Sequence, residues 1–171
     1  MEGSFVGFVQ LDGTFSGILQ VVDSSRTPTD SDAFPTFRVY SQNVFLEDGT
    51  CSYLHTGNVT NATNASPIVI TSTDHKLSTG ARITITGTLG NTAANGTFLV
   101  TKVDDNTFSL DGSTGSGAYT SGGVWHKTGL YAYSVSALGA DGYEAGEVFS
   151  VLFDFAISAV QKGASHRVLC T

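Results

Sequence analysis

Apolar residues in this chain alternate with polar or small ones in short runs, and Gly, Asn, Asp and Pro fall between the runs. A period of two marks a strand with one buried face, and the residues between runs are those that accept positive φ or form Asx turns. Residues 4–11 place Phe5, Phe8 and Val9 among Gly and Gln. Asp12-Gly13 then predicts a hairpin turn, with 15–22 as the return strand. Residues 23–35 read as a polar loop holding two of the three prolines. A third strand starts at Phe37 and runs to Ser41, Val44-Phe45-Leu46 continues it, and Glu47-Asp48-Gly49-Thr50 turns into a strand over 51–55. Residues 57–66 read as an Asn/Thr/Ala linker with nothing to pack.

The alternation is most regular over 67–125. Pro67 opens Ile68-Val69-Ile70-Thr71-Ser72, and residues 74–80 turn the chain. Strand pieces are predicted over 81–87, 95–103 and 105–110, and a Gly/Ser/Thr-rich close leads to Trp125. Together these make a compact all-β module of five or six short strands. Beyond it, 130–138 reads as a long strand, 139–142 as a turn, and 148–159 as the most apolar strand of the chain. Lys162-Gly163 is expected to turn into a last strand over 166–170.

About four strands precede the module and three follow it. A two- or three-stranded ribbon is marginal in water, so the two flanks are expected to share one core. The predicted architecture is all-β: a discontinuous antiparallel β-sandwich over 1–57 and 127–171, a linker over 58–66, and an inserted small β-barrel over 67–126. No stretch longer than a turn has the period of an amphipathic helix.

The module also carries a resemblance. The residues in question are Ile70-Thr71-Ser72, His75, Leu77-Ser78-Thr79-Gly80, Ile83-Thr84-Ile85-Thr86-Gly87, Asn95-Gly96-Thr97-Phe98, the run from Val103 to Asp111, and Tyr119-Thr120-Ser121-Gly122-Gly123. This ordered series resembles the β-barrel module first named for the first catalytic-cysteine half-domain of ubiquitin-activating enzymes, a module that recurs in structural proteins of tailed bacteriophages. It covers about a third of the chain. Lys76 departs from it, because the phage modules usually have Gly there. The module holds no cysteine, so ubiquitin chemistry does not come with the resemblance. Near the C-terminal end, Thr128-Gly129-Leu130-Tyr131, Gly142-Tyr143-Glu144-Ala145-Gly146-Glu147 and the alternating Phe149, Val151, Phe153 and Phe155 are similar to sandwich domains of phage fibre, neck and head-accessory proteins. Physically, this tract reads as a tight loop carrying an aromatic plug into an inner strand.

Composition narrows the function classes. Of 171 residues, 40% are hydrophobic and only 13% charged, which fits a chain that buries surface against partners. The net charge is −7, and the flanks alone hold five basic against eleven acidic residues. Nucleic-acid wrapping needs clustered Lys and Arg and is not expected. The opening Met1-Glu2-Gly3-Ser4 lacks the features of a signal peptide, and the longest apolar run is far short of a membrane span. Two cysteines, Cys51 and Cys170, make no disulfide framework, and they pair only if the last strand lies beside the one holding Cys51.

No convergent catalytic set stands out. His55, His75, His126 and His166 are scattered and show no metal-ligand spacing, and no serine sits in a nucleophile elbow. His75 is expected to hydrogen-bond its own turn. Asp12, Asp48, Asp111 and Asp141 each precede Gly and read as turn residues. Asp23, Asp30 and Asp32 match no calcium-loop spacing. The residues singled out for binding or interface are Tyr119 and Trp125, as a sugar-stacking pair or as packing at a domain junction, and Asp30 and Phe34 in the 23–35 loop. That loop and the open face of the outer sandwich are the expected contact surfaces.

The resemblance and the composition together imply a non-enzymatic structural protein of a tailed-phage virion, without cofactor or metal. It would be assembled in the host bacterial cytoplasm and act as a capsid decoration or as a neck, tail or fibre accessory. Its expected partners are other virion proteins and sister copies, first as a trimer. The alternative is a carbohydrate-binding or adhesin module taking a surface glycan, which requires Tyr119 and Trp125 to be exposed together.

Overall fold

The computed structural model describes residues 4–9 and 12–170, and side chains over 12–166. In order the strands are β1 (Ser4–Val9), β2 (Gly13–Gln20), β3 (Thr36–Ser41), β4 (Val44–Thr50), β5 (Ser52–Tyr53), β6 (Thr56–Asn58), β7 (Asn61–Ala62), β8 (Ile68–Thr71), β9 (Arg82–Thr86), β10 (Gly96–Lys102), β11 (Thr107–Leu110), β12 (Val124–Lys127), β13 (Leu130–Ala137), β14 (Val148–Ile157) and β15 (Val160–Cys170). Single 3-10 turns at Thr92–Ala94 and Gly139–Asp141 are the helical elements among the described residues. The protein is all-β and its sheets are antiparallel, apart from a parallel β1–β15 pair. It divides into two compact units, residues 1–52 with 129–171, and residues 53–128.

The outer unit has a five-stranded sheet in the order β1-β15-β14-β3-β4, and β2 and β13 pair along their whole length in a second sheet whose third strand is β5. Alternation decides what faces inward: Phe37 and Val39 from β3, Phe149, Val151 and Phe153 from β14, and Tyr131, Tyr133 and Val135 from β13 are all buried. Tyr133 packs on Phe37 and Phe153 at ring distances of 5.7 and 4.9 Å, which joins the two sheets as a sandwich.

Three turns depart from the sequence expectation. Asp12-Gly13 does not close a hairpin. β1 belongs to the five-stranded sheet and β2 pairs with β13, so this dipeptide carries the chain from one sheet to the other. Asp12 sits at φ 61°, its N–H donates to Ala137 O at 2.7 Å, and its Oδ1 accepts from Gly139 N at 3.0 Å. The chain reverses between β3 and β4 at Gln42-Asn43 and between β14 and β15 at Ser158-Ala159, all four at positive φ. These are two-residue hairpins built without glycine. The tracts read from sequence as turns, Glu47–Thr50 and Lys162-Gly163, lie inside β4 and β15.

The inner unit is a strongly curled seven-stranded half-barrel in the order β6-β12-β9-β10-β11-β8-β7. β10 bends across it, pairing with β9 over Gly96–Leu99 and with β11 over Val100–Lys102. The tract expected to be a linker supplies both edges. β6 pairs with β12, β7 pairs with β8, and between them Val59 N donates to Gly123 O and Thr60 N to Thr71 O, at 2.9 and 2.8 Å. A polar Asn/Thr segment thus bridges the two edges of the sheet, with Val59 and Ala62 turned into the core beside Ile68, Ile70, Ile83, Ile85, Val100, Phe108, Leu110 and Trp125. Only two of its residues need be apolar because only one face is buried.

The departure at Lys76 has a visible cost. Lys76 lies at φ 51°, where a side chain is strained and Gly is not. Its ammonium pairs with Asp74 at the surface, which returns little. Lys76→Gly is expected to stabilise the unit by about 0.5 kcal/mol, the relief of roughly 1 kcal/mol of strain less the pair and the added chain entropy. Lys76→Ala should give no gain. Urea midpoints of the two variants check this.

Candidate functional site

Trp125 comes from β12 and is 1% exposed in the core of the inner unit. Its indole packs edge-on to Phe108, and Nε1 donates to Ser72 Oγ at 2.7 Å. The ring therefore stacks on no ligand, and it is a centre of the barrel core rather than a junction residue. Tyr119 is half-buried against the same core, with its hydroxyl 3.0 Å from both Val59 O and Gly122 O. It ties the Gly-rich close of the module to the edge-bridging segment. The two rings belong to packing, and no exposed aromatic pair results.

His75 is 2% exposed and holds its turn as expected. Nδ1 accepts from Leu77 N at 2.9 Å, and Nε2 faces Asp104 O at 2.9 Å and Thr107 O at 3.3 Å. Two carbonyls at Nε2 and a donor at Nδ1 require the neutral ring with its proton on Nε2. The other imidazoles are also engaged in packing: His126 stacks on Tyr53 at 3.6 Å, His55 tilts against Trp125, and His166 lies between Phe153 and Tyr133.

In the outer unit, Asp30 and Phe34 occupy the 23–35 loop, which is firmly tied down. Val22 and Pro28 form a bridge, and Asp23 Oδ1 accepts from Ser25 N and Thr27 N. Asp30 Oδ1 accepts from Gly129 N at 2.7 Å, and Asp32 accepts from Ser158 N and Ala159 N at the tip of the β14–β15 hairpin. These acids serve as acceptors for backbone N–H groups of non-adjacent segments. Phe34 stands 47% exposed with its ring edge-on to Tyr131, above a shallow cavity of about 250 Å³ shared with Thr36, Phe155 and Gln161.

Cys51 is buried, and burial pushes its thiol up to about 11, so it stays protonated at neutral pH. Cys51 is a free thiol, and the side chain of Cys170, with which it was expected to pair only if the two strands lay side by side, is outside the described residues. Tyr143 is the aromatic plug of the 139–147 loop: it is buried, packs edge-on to Phe149 at 5.3 Å and donates to Glu47 Oε1 at 2.6 Å.

Among the described residues of the outer unit, two surfaces carry larger concavities where a partner could dock. The first is the outward face of the five-stranded sheet, where a concavity of about 430 Å³ is lined by Tyr40, Gln42, Asn43, Val148, Ser150 and Leu152, with Phe45 edge-on to Tyr40. The Arg38–Asp154 pair flanks it. Val44, Phe45, Val148 and Leu152 are 62, 51, 45 and 39% exposed. Sequence reading named this face but none of these residues. Their signal lies in the register, which sets Tyr40 opposite Phe45 and Ser150. The second is a cleft of about 410 Å³ lined by Phe37, Glu47, Gly49, Thr50, Tyr133 and Ser134.

No protein-family model matches this chain, and no curated protein matches it. Among the described residues, no helix is long and apolar enough to cross a membrane, and no group of three or more His, Cys, Asp or Glu side chains is placed to hold a metal ion.

A pH dependence follows from the two half-buried imidazoles, His55 and His166. Burial holds His166 below its ordinary value, and burial followed by the charge of Lys127 does the same to His55. Each is then less protonated when folded than when unfolded near pH 6. Stability should be full above about pH 6.5, the unfolded value, and fall as the pH drops through it toward the folded one. Thermal midpoints measured between pH 5 and 7.5 should fall on acidification. His166→Gln should flatten the dependence for the outer unit, and His55→Gln for the inner one.

Proposed function

We propose that the protein is a structural component of a tailed-phage virion, a capsid decoration or a head, neck or tail accessory that works by binding alone. The observation that carries this reading is the build of the chain. A curled half-barrel module interrupts a β-sandwich in sequence, and the strands by which the chain enters and leaves the module, β6 and β12, are hydrogen-bonded neighbours within its own sheet. Such a module closes its own sheet while its two chain ends stay side by side, so it can be carried as an insertion. The resemblance of residues 70–123 to modules of phage structural proteins points the same way. The sandwich presents the concavity of mixed polar and apolar lining around Tyr40 and Leu152 for sister copies or neighbouring virion proteins, with a trimer the first expectation. Such a protein would be made in the host bacterial cytoplasm and end in the particle. The polar groups point toward assembly rather than catalysis: the imidazoles pack, and the loop acids accept from backbone.

Light scattering of the purified protein, together with mass spectrometry of purified particles, tests the reading. A mass about three times that of the chain and a stoichiometric presence in particles are expected. Leu152→Asp should shift the oligomer toward monomer while leaving the fold intact. A monomer that is absent from particles overturns the proposal.

A further inference from the structure

Alternation along β13 reveals an unfinished sheet. Gly129 O accepts from Val21 N and Ala137 O accepts from Asp12 N, so both face the β2 side. In an antiparallel strand, alternate residues send both backbone groups to the same neighbour. Residues 131, 133 and 135 therefore also face β2, and Ala132, Ser134 and Ser136 face the other edge. The strand on that edge, β5, has two residues against eight in β13. It joins near the start of β13, because the chain that follows it is tied to the chain that precedes β13 through Lys127 N to His55 O at 2.9 Å. Most of this edge therefore lacks a strand beside it among the described residues. The cleft of about 410 Å³ lies here, with Ala132, Tyr133 and Ser134 on one side and Glu47 to Thr50 of the edge strand β4 on the other. Its inner wall is apolar, with Phe37 packed against Gly49 and Tyr133 against Gly17. Glu47 of the lining is held by the Tyr143 hydroxyl, which donates to its Oε1 at 2.6 Å.

We propose that this cleft is a strand-acceptor slot, in which the free edge of β13 takes up an extended segment of a partner protein that carries a lysine or arginine. Main-chain bonds to both backbone groups of Ser134, and to the N–H of Ser136, whose carbonyl already accepts from Leu138 N at 2.9 Å, would supply register, as in β-strand addition generally. The requirement for a basic segment comes from charge. Glu47 and Asp48 line the slot, and no basic residue does. The flanks of the chain carry five basic against eleven acidic residues, so a second copy of this acidic chain is disfavoured as occupant and a basic arm is favoured. The slot does not rest on the virion reading, since a peptide either enters it or does not.

The test uses the full chain and a fluorescent, blocked peptide, Thr-Val-Lys-Val-Thr-Val-Thr, read by anisotropy and by amide exchange of Ser134. Saturable binding is expected, with slowed exchange at Ser134 and at least ~10-fold weaker binding when the peptide lysine is replaced by glutamate. Ser134→Pro removes an edge N–H while leaving the β2 ladder intact, and it should abolish binding with an unchanged circular dichroism spectrum. Should that variant fail to fold, a peptide N-methylated at alternate residues must fail to bind the unaltered protein. Glu47→Gln with Asp48→Asn should remove the preference for lysine. Absence of binding, equal binding of the lysine and glutamate peptides, or binding indifferent to Ser134→Pro and to N-methylation each overturns the proposal. Self-association that Ser134→Pro abolishes would overturn the assigned occupant.

Discussion

Trp125→Ala is expected to cost the inner unit about 4 kcal/mol, within the 3–5 kcal/mol typical of emptying a buried aromatic site. Few positions of the unit are as demanding. The indole is 1% exposed, closes against Phe108, and gives its N–H to Ser72 Oγ at 2.7 Å. Removal leaves both a cavity and a buried hydroxyl without its donor. It also strips the cover from Gly57. A Cβ placed on Gly57 would come within 2.8 Å of the indole, so this glycine is where β6 passes directly over the ring. Against a total of roughly 5–15 kcal/mol for a small domain, the loss should leave the unit largely unfolded at modest urea. Far-UV circular dichroism during a urea titration checks this. Trp125→Phe keeps most of the volume and should lose only about 1–2 kcal/mol, mainly the hydrogen bond. Because Trp125 is the single tryptophan, fluorescence excited selectively at tryptophan, beyond the tyrosine absorption band, reports the inner unit.

Gly129→Ala should be nearly as damaging in the outer unit, at about 3 kcal/mol, from overpacking together with left-handed strain. Gly129 lies at φ 68°, and a Cβ there would stand 2.4 Å from Val21 O and 2.6 Å from Thr29 O, backbone atoms that cannot step aside as a side chain can. The same residue is a hydrogen-bond hub. Its N–H donates to Asp30, and its carbonyl accepts from Val21 N and from Gln20 Nε2. Asp30→Ala, which removes the acceptor of the Gly129 N–H, should cost about 1–2 kcal/mol, and Asp30→Asn less. Thermal unfolding of the three variants orders them. A Gly129→Ala protein as stable as the parent would contradict the close approach of the 23–35 loop to the start of β13.

Local alternation accounts for what was legible beforehand. Period two over 68–71, 82–86, 96–102 and 107–110 placed the four central strands of the inner unit within a residue or two, because each of those strands buries one face against a single core. The same alternation placed β13 and β14 and predicted the all-β class. His75 was legible as a turn residue because its partners lie within about thirty positions and in one unit. The sites were far less so. Asp30 read as a binding or interface residue and Asp32 as a loop acid matching no calcium-loop spacing, yet backbone N–H groups 99 and about 126 residues away donate to them. Trp125 read as a possible platform because β12 looks like any strand end until the curl of the sheet encloses it.

By itself, then, the amino-acid sequence determined the strand class, the position of most strands and the existence of an interrupting module, all consequences of side-chain periodicity and turn chemistry within a few residues. Tertiary structure decided which strands pair. Asp12-Gly13 has hairpin chemistry but becomes a crossing between sheets, because β2 finds an eight-residue partner in β13 that local propensity cannot see. Residues 56–62 carry too few apolar groups to announce strands, and they become strands only because both edges of a curled sheet leave backbone groups that must be paired. The open edge of β13 belongs to the same class of fact: it exists because β5 is short, a property of long-range pairing rather than of any local run of residues.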